Sequence, residues 1–153
     1  MPILQEIVQK AEDFDMSVVL LRYQNDTRLP HSVVKEHERE IKRFLGMCAH
    51  SPGRYGMRGP LDDLWHTFIV HTECYQNFCT AVAGEFIHHY PVIHSEPDKQ
   101  QIPTDLAYPN FLTDYKEMFG EEPPAQIWPS ALAGPDWTGC NECGSACNHK
   151  CNA

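Results

Sequence analysis

The chain has 153 residues, 12 Lys and Arg against 21 Asp and Glu, a net charge of −9 and a pI near 5.4. That length suits one domain with a real core. The acidity excludes large-scale phosphate neutralisation, hence a nucleic-acid binder, and no apolar run approaches the roughly 18 residues of a membrane span.

The first residues, MPILQEIVQKAEDF, lack the basic start and apolar core of an export signal. The expectation is a cytoplasmic protein whose seven cysteines stay reduced or bind metal. Leu4, Ile7, Val8 and Ala11 follow the i, i+3, i+4, i+7 spacing of a surface helix over 3–14. Ser17 to Gln24 is rich in β-branched residues, yet no partner strand is apparent, so it reads as a short buried helix capped by Asp15 or Ser17. A turn at Leu29-Pro30-His31-Ser32 leads to a long helix, Val33 to Cys48, with Ser32 as its cap. Its stripe is Val34, His37, Ile41, Phe44, Leu45 and Cys48, with His37 read as a packed residue. Lys35, Glu36, Glu38, Arg39, Glu40, Lys42 and Arg43 make its charged face, read as solvated and, more remotely, as a docking surface for a protein partner over residues 33–48.

His50 to Pro60 is a Gly/Pro loop carrying Arg54, Tyr55 and Arg58, an exposed loop or a cradle for an anion. After it comes the stretch on which the reading turns, Leu61 to Pro91. It holds four of the nine histidines (His66, His71, His88, His89) together with Cys74 and Cys79. Leu61 to Ala83 reads as one helix. Leu61, Leu64, Trp65, Phe68, Thr72, Tyr75, Cys79 and Val82 share a core face. Ile69 and Val70 sit amid the polar opposite side, so the helix is expected to be buried on both sides and His66 to be shielded from water. Asp62 lies one turn before His66, on the same face. Taken alone, Asp62 reads as an N-cap and His66 as a core histidine.

The adjacent pair His88-His89, just past the Gly84 helix end, changes that balance. Neighbouring side chains in an extended segment point opposite ways, so one of the two is expected to join His66. Two or three imidazoles with a carboxylate form a shell for a transition metal ion such as zinc, iron or copper. The candidate ligands are Asp62, His66, His88 and His89, with Glu73 and Tyr75 behind them. Cys74 and Cys79 read as core packing, and a Cys–His hydrolytic pair is the weaker alternative. His71, five residues from His66, diverges around the helix.

Residues 91–108 read as a polar connector with His94 as a remote extra ligand, and Asn110 to Phe119 as a last helix ended by Gly120. Gln126 to Trp137 reads as an extended Pro/Trp segment. The tail, 137–153, is a separate signal. Cys140, Cys143, Cys147 and Cys151 form C-x2-C-x3-C-x3-C, with His149 between the last two. Four thiolates among small residues suit zinc, Cu(I) or an iron–sulfur centre.

At Asp62-Asp63-Leu64-Trp65-His66, Tyr75 and Phe86-Ile87-His88-His89, the chain resembles the glycine-rich domain-containing protein-like family, in its compact bacterial form with a Cys-rich tail. The resemblance extends to Arg43-Phe44-Leu45 upstream, and downstream to Tyr115–Phe119, Gly120 and Ile127-Trp128-Pro129. It departs at Phe68, where many relatives place a second histidine. The resemblance implies no settled activity.

The expected architecture is all-α: a compact bundle of four to five helices around a central buried helix. A helical domain, 1–136, precedes the Cys-rich tail, 137–153. The expected function is a small metal-binding protein with a His-based internal site and a Cys-based tail site, with metal-dependent catalysis, redox or otherwise, left open. The alternative is a non-catalytic scaffold whose tail captures zinc, copper or a protein partner.

Overall fold

The computed structural model describes residues 3–90 and 104–131. These residues are all-helical, and six helices follow in chain order: α1 (Leu4–Asp13), α2 (Ser17–Thr27), α3 (His31–His50), α4 (Leu61–Val70), α5 (Thr72–Val82) and α6 (Thr104–Phe119). The chain divides into two units, Met1–Tyr55 with Asp63–Ile102, and Gly56–Asp62 with Pro103–Ala153. The Cys-rich tail and His94 lie outside the described residues.

In the first unit the central element is α3, not the helix after it. It packs against α1 and α2, and α1 also packs against α5. The reason is the breadth of its buried surface. Val34, Ile41, Phe44, Leu45 and Met47 are all buried, and Gly46 brings α1 close, its Cα hydrogens facing Val8. α3 starts at His31 with Pro30 as N-cap, whose carbonyl accepts from the Val33 and Val34 N–H groups; Ser32 is not its cap.

The charged face of α3 is not wholly solvated. Glu40 and Lys42 are buried. Lys42 Nζ donates to the Glu12 and Phe14 carbonyls at 3.1 and 2.7 Å and to Glu38 Oε1 at 3.0 Å. An ammonium that spends its three protons on acceptors is tolerated inside, and here it closes the otherwise unsatisfied C-terminal end of α1. Glu40 sits between Arg39 and Arg43, at 3.4 and 3.9 Å. His37 is packed, as expected. Its Nδ1 lies 2.9 Å from the Tyr23 hydroxyl, and burial lowers its pKa against a small opposing effect of Glu36.

α2 is a helix, but only one side of it is buried: Val19, Leu20 and Tyr23 face inward while Val18 and Leu21 are exposed. Its N-cap is Met16, and Asp15 accepts from the Ser17 N–H one position further on.

The single helix expected over 61–83 is two helices. The ladder stops at His71, which has φ −83° and ψ 68° and serves as N-cap of α5. Ile69, Val70 and Thr72 bracket the break, and three β-branched residues in four weaken helix propagation there. The His71 ring closes the end of α4, its Nδ1 donating to the Thr67 carbonyl at 2.8 Å. The core face is as expected except for Thr72, which is exposed, and Phe78 joins it. The opposite side is not buried: Val70 is 70% exposed and His66 is exposed. Cys74 is only half-buried.

In the second unit α6 begins at Thr104, six residues before the expected start, and runs through Pro109. The Pro109 ring is accommodated inside the helix. Gly120, at φ 67°, terminates it, its N–H bonding the Lys116 carbonyl. Residues 124–128 form a turn rather than an extended strap, since the Ile127 and Trp128 N–H groups both reach the Pro124 carbonyl. Trp128 packs on Phe111, ring centroids 4.5 Å apart, and the Tyr108 hydroxyl donates to the Pro129 carbonyl.

Candidate metal centre

Three of the four expected internal ligands come together. One donor atom each from Asp62, His66 and His89 lies within 4.8 Å of the other two. Asp62 and His66 are four residues apart on α4, the spacing that aligns two side chains on one helix face. His89 arrives from the irregular segment after α5. His88 does not join them. It is exposed, and its ring neighbours are Phe86 and Tyr90, at 5.0 and 6.2 Å. The segment alternates: Phe86, His88 and Tyr90 are exposed, while Ile87 is buried and His89 half-buried. Period-two alternation therefore sorts the His-His pair.

The rings are ordered by stacking. His89 lies against Trp65, centroids 4.1 Å apart and planes 12° from parallel, and against His66, at 4.6 Å and 9°. An imidazole lone pair lies in the ring plane, so two near-parallel rings do not aim at one point. A zinc ion with Zn–N bonds of about 2.0–2.1 Å also brings its donors to roughly 3.3 Å from one another. Binding therefore requires one ring to turn. His66 is exposed and has solvent into which its ring can swing, whereas His89 is held against the indole. Of the two candidate ligands, His89 is the one stacked on the indole and His66 the one more open to solvent.

The donor set fits a transition ion. Two imidazoles and one carboxylate match a shell used both by non-haem iron and by hydrolytic zinc, and in each case coordination positions stay open.

Beneath the stack lies a hydrogen-bonded support. Trp65 Nε1 donates to the Tyr75 hydroxyl at 3.1 Å, and that hydroxyl donates to the Ile87 carbonyl. The Ile87 N–H reaches Cys79 Sγ at 3.4 Å. On one straight helix Trp65 and Tyr75 would stand about 15 Å apart along the axis. The break at His71 folds α5 back so that they touch. Sequence reasoning placed Tyr75 behind the ligands but missed the parts played by Trp65 and Cys79. Periodicity gave both as core, and they are core; the helix break that brings them under His89 had no strong signature. Glu73 is exposed on α5, and His149 lies outside the described residues.

The cysteines are not poised as nucleophiles. Burial pushes the Cys48, Cys74 and Cys79 thiols up, and for Cys79 the opposing hydrogen bond from the Ile87 N–H does not cancel it. A thiol so shifted is protonated near neutrality. Arg58 lies over the Tyr108 ring at 5.3 Å and Arg54 over Tyr55 at 5.9 Å.

A family model described as UCP032817-like matches residues 8–105, well over half of the chain. The chain belongs to the UCP032817-like family. This corrects the resemblance drawn from Asp62–His66, Tyr75 and His88-His89: no glycine-rich domain family is shown. A handful of aromatic and histidine positions in order is a thin basis for kinship, because helix packing and ligand geometry recruit the same residue types in unrelated chains. No curated protein and no solved structure matches this UCP032817-like chain. Among the described residues, no helix is long and apolar enough to cross a membrane.

Proposed function

We propose that Asp62, His66 and His89 bind one transition metal ion, zinc, iron or copper, and that the protein is a metal-dependent enzyme. The observation that carries this reading is the convergence of one carboxylate and two imidazoles within 4.8 Å. Three protein ligands leave coordination positions for water and substrate, and the exposure of His66 keeps those positions reachable. An ion there supplies Lewis acidity or an activated water; iron or copper adds redox chemistry. We further propose that Cys140, Cys143, Cys147 and Cys151 form a separate thiolate site, on the strength of their spacing.

Plasma mass spectrometry on protein purified without chelator tests both. The samples are the full chain, a chain ending at Asp136, His66→Ala and His89→Ala. The expected result is one equivalent of metal that survives truncation and is lost in each histidine variant, with further metal lost on truncation. If the histidine variants retain all the metal and the truncation loses it, the enzyme reading fails. The protein is then a scaffold with a metal-binding tail.

A further inference from the structure

We infer that Tyr75 is a positioning residue for His89, acting through the backbone of Ile87; its value to function rests on the metal-site reading above. Ile87 is held at both polar groups: its carbonyl accepts from the Tyr75 hydroxyl and its N–H meets Cys79 Sγ. Both holding residues are buried on α5, four positions apart and so on one face. Tyr75 is anchored in turn by Trp65 Nε1, and Trp65 is the ring on which His89 stacks. The loop is closed: α4 supplies the platform under the imidazole, and α5 fixes the peptide two residues before it. Two residues of backbone leave little freedom for His89 Cα once Ile87 is pinned.

The arrangement also accounts for a costly feature of the core. A fully buried phenol needs partners for its hydroxyl, and phenylalanine would pack the same space without that need. Tyr75 is fully buried, in edge contact with Phe68 at 5.0 Å and Phe86 at 5.2 Å. Its ring belongs to the core, and its hydroxyl is spent on orienting the ligand segment. Burial raises its pKa, so the hydroxyl keeps the proton it donates to Ile87.

The test is Tyr75→Phe, which keeps the ring and removes the donor, with Cys79→Ala as a second variant for the N–H side. The first readout is the proton NMR shift of the His89 imidazole, assigned by its loss in His89→Gln. Stacking on Trp65 moves these signals upfield in the native protein. In Tyr75→Phe they are expected to move back toward free-histidine values. Val34→Ala, a core truncation on α3, lowers stability without moving them. The second readout is zinc titration by calorimetry, where Tyr75→Phe is expected to weaken binding by about tenfold or more, as loss of a residue supporting a ligand does. An unmoved His89 signal in a folded Tyr75→Phe protein overturns the inference, whatever zinc does. Absence of zinc binding by the native protein overturns the metal site instead and leaves the His89 signal to decide the role of Tyr75.

Discussion

Two histidines, each beside an aromatic ring, behave oppositely in this molecule. His37 lies in the core of the first unit, 6% exposed, its Nδ1 in hydrogen-bond contact with the Tyr23 hydroxyl. His89 lies half-buried at the surface, held by the face of Trp65, with a second imidazole and a carboxylate in reach. In the first pair the edges meet and the polar atoms satisfy each other. In the second the faces meet, and stacking on the indole fixes the ring. A histidine bonded edge-on to a buried phenol is a packing element; one held face-on beside other donors is the kind on which the proposed metal site rests.

The largest expected effect that tests this contrast is on stability. His37→Ala leaves a cavity and an unpaired Tyr23 hydroxyl, and is expected to cost about 2–4 kcal/mol in urea unfolding. His89→Ala, at a half-exposed position, is expected to cost less than about 1 kcal/mol while removing metal binding. Equal costs would break the distinction.

A smaller effect is the pH dependence. Burial lowers the His37 pKa below its ordinary 6.5. Below that pH the unfolded chain takes up a proton that the folded one refuses. This contribution to stability is therefore complete above pH 6.5 and shrinks as the solution is acidified toward the folded-state pKa. The slope from this group is at most about 1.4 kcal/mol per pH unit. Urea midpoints measured from about pH 7.5 down to about pH 5, in the native protein and in His37→Gln, isolate it. An unchanged slope in the variant assigns the acid sensitivity elsewhere.

The smallest concerns the segment that delivers His89. Gly84 ends α5 at φ 75°, its N–H reaching the Cys79 and Thr80 carbonyls, and nothing lies within 4 Å of where a Cβ would stand. Gly84→Ala therefore meets only backbone strain, expected at about 1 kcal/mol by thermal unfolding. A loss several times larger would mean that the turn is crowded as well as left-handed.

What was readable from sequence follows the same division. Apolar spacing gave the helices and most of the core, because burying a stripe is a local pattern: Val34, Ile41, Phe44 and Leu45 on α3, Leu64, Trp65 and Phe68 on α4. Asp62 and His66 were visible as a pair for the same reason, being one turn apart. The break at His71 was not, since the same wheel continues to place Tyr75 and Cys79 inside on either side of it. Nor was the burial of Lys42, whose acceptors are backbone carbonyls some thirty residues away. The pairing of His89, and not His88, with His66 could be narrowed to one of two by alternation. Choosing between them required Trp65 in three dimensions.

The fold-back at His71 has a consequence for any attempt to transplant the site. Residues 61–90 carry all three candidate ligands, the indole, the phenol and the thiol, and look like a self-sufficient cassette. Yet α4 and α5 have 10 and 11 residues, shorter than a helix that persists alone in water. Detached from α1 and α3, such a peptide would have the donors but no geometry. In the intact protein the packing of α1 against α3 and α5 holds these donors in place, so unfolding scatters all three at once.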